Sequence, residues 1–161
     1  MKKLLLPLLI PAILSAPAYA LEKSEQDPMT KALTACASNI SNPRKTQRSV
    51  KALGLDDVGT VAEITSFAPA SENFFVAVSD PSFQHNLCLA AGKGMSLRQT
   101  NALAAAFAKS LGASPTETDD ADISKIWSTT RGNKPLLVMV EKSKDTGEFS
   151  APATSILIVN Q

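Results

Sequence analysis

Two cysteines, Cys36 and Cys88, constrain this chain more than any other feature. Cys36 falls on a stripe with Met29, Leu33 and Ile40, the spacing of the buried side of an amphipathic helix. Cys88 lies in Phe83-Gln84-His85-Asn86-Leu87-Cys88-Leu89, which reads as a strand. One intramolecular pairing is possible, and a disulfide needs Cα atoms within about 7 Å. A helix must then lie flat on a sheet. Strand parity places Phe83, His85, Leu87 and Leu89 on one face, and Gln84, Asn86, Cys88 and Ala90 on the other. Either both faces are covered near the end of this strand, or a bulge shifts the parity around Leu87. The first arrangement is expected, with the first helix over the Cys88 face and the remaining core over Phe83 and Leu87.

The N-terminus bears on whether the pair is oxidised. Lys2 and Lys3 precede an apolar run from Leu4 to Leu14, and Ala18-Tyr19-Ala20 has the small-x-small cleavage pattern. This predicts an export signal over residues 1–20 and a single exported α+β domain over 21–161, with 21–26 as a flexible leader. The run is shorter than the roughly 20 apolar residues of a membrane span, and Pro7 and Pro11 weaken it as a helix. Leu21, not a cysteine, stands directly after the cleavage point, so lipid attachment is not expected there. The expected location is periplasmic or secreted, where a Cys36–Cys88 disulfide is the economical outcome. A redox-active pair would call for Cys-x-x-Cys spacing, which the chain lacks.

Removing residues 1–20 takes away two lysines, leaving 14 basic side chains against 15 acidic ones. That balance supplies no global attraction to nucleic acid or anionic membrane. With Trp127 the one tryptophan and Tyr19 in the signal, a platform of rings for stacking bases is hard to assemble.

Asp27-Pro28 suggests a helix start, with Asp as N-cap and Pro at the first helical position. Asn42-Pro43 starts a second helical piece that stops at Gly54. From Thr60 the hydrophobic period becomes strand-like: Thr60–Phe67, Asn73–Ser79 and the Cys88 run, joined by turns. Ser96-Leu97-Arg98-Gln99 is a capping box opening an alanine-rich helix that ends at Gly112. Residues Ala113 to Asp122 read as an acidic linker. Three strands follow: Ile123–Thr130, Leu136–Glu141 and Ser155–Asn160. The expected fold is α+β, ordered helix, three strands, helix, three strands, with a mainly antiparallel sheet and helices packed on it.

Candidate sites are few. His85 is the lone histidine and the candidate for acid–base work. A triad with Ser79 and Asp80 would crowd one hairpin, and no Gly-x-Ser-x-Gly elbow exists. Asp120 and Asp122 are spaced as alternate calcium ligands, but the glycine and closing glutamate of a calcium loop are missing. No metal site or cofactor is expected. Gly92-Lys93-Gly94-Met95-Ser96 leads into a helix N-terminus, making Lys93, Gly94 and Ser96 candidates for an anion, although a third glycine is replaced by Leu97. Arg44, Arg48 and Lys51 at i, i+4 and i+7, with Lys45 beside them, make a basic ridge suited to an acidic partner. The expected function is a non-catalytic binding or accessory domain that interacts with another periplasmic or envelope protein. Its alternatives are a small hydrolase using His85 and a thiol/disulfide assembly factor.

Overall fold

The computed structural model describes residues 23–142 and 154–160, with backbone alone for 23–27. The predicted signal lies outside the described residues. The chain runs α1 (Lys23–Asn39), α2 (Pro43–Lys51), β1 (Asp56–Val61), β2 (Ile64–Ala68), β3 (Phe74–Ser79), β4 (Asn86–Gly92), α3 (Leu97–Ser110), β5 (Ser114–Thr116), β6 (Ile123–Arg131), β7 (Lys134–Lys142) and β8 (Thr154–Asn160). All eight strands join one antiparallel sheet in the order β1-β2-β3-β4-β8-β7-β6-β5. Each half is a helical segment followed by a four-strand meander, and the two halves meet at β4 and β8. From β4, at the centre, α3 carries the chain to the far edge, and β5 to β8 walk back inwards.

The helices share one face of the sheet. On that face Phe74, Val76 and Val78 of β3, Cys88 and Ala90 of β4, Ile156 and Ile158 of β8, and Leu136, Val138 and Val140 of β7 form one buried cluster. α1 closes it with Met29, Leu33 and Cys36, α2 with Val50, and α3 with Ala104 and Phe107. Cys36 and Cys88 are bonded, with Cα atoms 6.0 Å apart. On the second half, the Thr100 and Thr154 hydroxyls meet at 2.6 Å, satisfying two polar groups under α3.

Local chemistry explains the helix ends. Ser96 Oγ accepts from the Gln99 amide, and Gln99 Oε1 accepts from the Ser96 amide at 2.9 Å, completing the expected capping box. At the other end Gly112 takes φ 68°, its amide donating to the Lys109 carbonyl and that of Ala113 to the Ala108 carbonyl. This paired geometry closes the helix and is easy only for a residue without Cβ.

Several expectations are corrected. α1 begins at Lys23 rather than at Pro28, so Pro28 sits inside the helix and residues 23–26 are helical rather than a loose leader. The proline removes one i to i−4 bond, and its side chain is exposed. The single strand expected over Thr60–Phe67 is a hairpin: β1 and β2 meet at Val61 and Ile64 across Ala62-Glu63. Both turn residues adopt positive φ, 48° and 64°, as this tightest hairpin turn demands, without the Gly or Asn that would signal it. The acidic linker contains β5, which pairs with β6. Each half therefore has four strands rather than three. Finally, β4 begins at Asn86, and Phe83 to His85 lie in the preceding turn. α1 covers the Cys88 face as expected, whereas no described element covers the Leu87 face.

Candidate functional site

The basic ridge stands on α2. Asn42 caps this helix by accepting from the Lys45 amide at 3.1 Å, and Pro43 follows at the first helical position. Thr46 and Val50 are fully buried, which turns Arg44, Lys45, Arg48 and Lys51 outwards, all four exposed. Polar bonds tie the inner side to its surroundings. Thr46 Oγ1 donates to the Asn39 carbonyl at 2.8 Å, and Asn39 Nδ2 donates to Ser49 Oγ at 3.2 Å. Gln47 Nε2 donates to Asp80 Oδ1 at 2.6 Å, and Thr65 Oγ1 donates to the same oxygen at 3.1 Å. The ridge is thus held rigidly against α1, β2 and the end of β3.

Its electrostatics run against helix stability. Arg48 and Lys51 in the last turn suit the negative end of the helix dipole, but Arg44 and Lys45 occupy the first turn, where positive charge is unfavourable. Arg44 and Arg48 also stand as a like-charged i, i+4 pair. The helix contains no acidic side chain to offset them.

The other candidates find different surroundings. His85 is exposed in the turn before β4, not on the apolar strand face expected for it. Ser79 Oγ is buried and accepts the Leu87 amide at 3.0 Å, while Asp80 is engaged by Gln47 and Thr65. These bonds commit the Ser79 side chain to the β3–β4 hairpin and the Asp80 carboxylate to fastening α2 and β2 to the end of β3. Lys93 and Gly94 are exposed after β4. Several amides of that turn are occupied: Lys93 N donates to the Asn73 carbonyl, Met95 N to that of Gly92, and Ser96 N to Gln99 Oε1. Among the described residues no three His, Cys, Asp or Glu side chains converge as metal ligands. Asp120 Oδ1 accepts the Asp122 amide at 2.9 Å, making a local turn rather than a converging pair. A shallow, open depression lies beside β5 and β6, lined by Thr116, Glu117, Asp119, Ser124 and Trp127.

The sequence reading missed one surface. In an antiparallel ladder, directly opposed residues project to the same face. The register therefore aligns Ser66, Ala77, Leu89, Leu157, Met139 and Ile126 in one row on the face away from the helices. Leu87, Val159 and Leu137 make a neighbouring row. The signal was present in the two continuous apolar runs, Leu136 to Val140 and Ile156 to Val159, which are apolar in both strand parities.

Comparison with models of known families, with curated proteins and with solved structures returns no match. Among the described residues no helix is long and apolar enough to cross a membrane.

Proposed function

We propose that this protein is an exported, non-catalytic binding domain that docks an acidic protein partner on the outer face of α2. The observation that carries the reading is the placement of Arg44 and Lys45. Cations in the first turn of a helix each cost up to about 1 kcal/mol relative to neutral residues, and α2 carries no acidic side chain to offset them. Functional sites are where local rules are commonly broken, and α2 breaks one on an anchored, exposed surface. Four cations on one face attract an acidic surface over roughly a Debye length and orient it before contact. The proposed periplasmic or secreted location is supported by the Lys2-Lys3 start, the apolar run and the cleavage pattern, together with the buried Cys36–Cys88 bond.

Arg44→Glu, Arg48→Glu and Lys51→Glu combined should cut recovery of an acidic partner from a periplasmic extract by at least about tenfold. Lys93→Glu, exposed and off α2, is the control for a general charge effect. The same recovery with the triple variant as with the unmodified protein would remove α2 as the docking site.

A further inference from the structure

We infer that the sheet face opposite the helices is a self-association interface, through which two copies pack sheet against sheet. This does not rest on the proposed role of α2, which lies on the other side of the sheet.

Leu87 and Leu89 of β4, Leu157 and Val159 of β8, and Leu137 and Met139 of β7 project from this face, each half-buried. They occupy the centre of the sheet, because β4 and β8 are the fourth and fifth of its eight strands. An antiparallel sheet covered on one side normally carries polar residues on the other. Here β4, β7 and β8 are apolar in both parities, the pattern of strands buried on both faces. The helices bury only one.

Area and charge indicate a second copy as the occupant. Six inner strands at about 4.8 Å spacing and roughly six residues at about 3.3 Å give a face on the order of 600 Å² in projection. With Ala77, Ser79, Ala91 and Ser155 buried between the larger side chains, that is the lower end of the roughly 600–1,000 Å² that each partner commits in a specific interface. Among the described residues of β2, β3, β4, β8, β7 and β6, Glu141 is the one charged side chain whose register puts it on this face, opposite Ser155. Two such faces meet without an array of like charges, and the face offers no cation to select an acidic ligand or a lipid headgroup. Facing sheets in this arrangement lie about 10 Å apart with their strands aligned to within about 30°, so twist concentrates contact at the centre, on Leu89 and Leu157. The β1 edge is a poorer self-association site. β1 carries Asp56 and Asp57 and has a bulge between Asp57 and Gly59, two devices that block strand addition.

Sedimentation of the protein recovered from expression of the full chain, from about 1 to about 200 µM, should show a reversible dimer. Leu89→Lys and Leu157→Lys should each weaken it by at least about 100-fold, as expected for a charge buried at an interface centre. Arg98→Glu, exposed on α3 on the helix side, should leave it unchanged. Should the lysine variants fail to fold, a second measurement remains decisive. Both native cysteines are bonded to each other, so Leu157→Cys supplies the one free thiol among the described residues. It should form an interchain crosslink on mild oxidation, whereas Lys125→Cys, exposed on β6, should not. A monomer throughout the concentration range overturns the proposal and leaves the face to another occupant. A dimer indifferent to both lysine variants, or one crosslinked from Lys125→Cys but not Leu157→Cys, overturns it in favour of a different surface.

Discussion

Breaking the Cys36–Cys88 bond should destabilise the protein by about 4 kcal/mol. The bond closes a loop of 52 residues in sequence, and the chain-entropy relation gives about 14 cal/mol/K, or about 4 kcal/mol at 25 °C. Both sulfurs belong to fully buried residues, and Met29, Leu33 and Ile40 also hold α1 to the sheet. The reduced protein should therefore keep its fold while losing a large part of a stability that for such domains totals about 5–15 kcal/mol. Urea unfolding followed by far-UV circular dichroism, with and without reductant, is the assay. The reduced form should melt on the order of 10–15 °C lower and show a steeper urea dependence, because its unfolded chain is less constrained. The Cys36→Ala/Cys88→Ala variant should match reduced protein to within about 2 kcal/mol, the difference reflecting lost sulfur packing. Oxidised and reduced forms equal to within about 1 kcal/mol would refute the reasoning. Loss of helical signal ahead of the sheet would also refute it, by showing that the bond fastens α1 rather than constraining the unfolded chain.

Two further outcomes test local features. Replacing Ala62-Glu63 by Asn-Gly should raise stability by about 1 kcal/mol, because both positions hold positive φ that Asn and Gly adopt more easily; an unchanged or lower urea midpoint would contradict this. The Glu141 carboxyl is held above its ordinary range, chiefly by burial, with a repulsive contribution from Asp120, and its hydrogen bond from Ser155 works in the opposite direction. Above the unfolded-state value of 4.5 the native state thus retains more protons, so stability contributed by this group falls as pH rises through the raised value. Glu141→Gln should accordingly stabilise the protein at pH 7 relative to pH 4, and a gain equal at both values would count against the cause assigned.

The halves of the fold were unequally legible. The Ser96–Gln99 box, the Gly112 stop and the Asn42-Pro43 start lie within a few residues of the bonds they make, so short-range chemistry specified them. The hairpin at Ala62-Glu63 escaped because its turn is imposed by pairing of β1 with β2, against the preference of both residues. β5 escaped because three exposed residues, Ser114 to Thr116, have no apolar alternation to betray them. His85 was misplaced onto the strand because the turn after Asp80 runs through His85, longer than its Asp-Pro-Ser start suggests. The ridge on α2 was readable because helical periodicity alone brings Arg44, Arg48 and Lys51 to one side.

Sequence alone determined the sulfur pairing, since two cysteines admit one internal bond, and with it the presence of a helix against the Cys88 face. It also determined which residues of each strand share a side, since that follows from a period of two. Only the tertiary structure decided that β4 pairs with β8. That pairing joins residues such as Cys88 and Ile158, far apart in the chain, and no local preference encodes it. It also decided that α1, α2 and α3 gather on one side. Continuous apolar runs required cover on both faces of the sheet, and the chain's described helices supply cover for one.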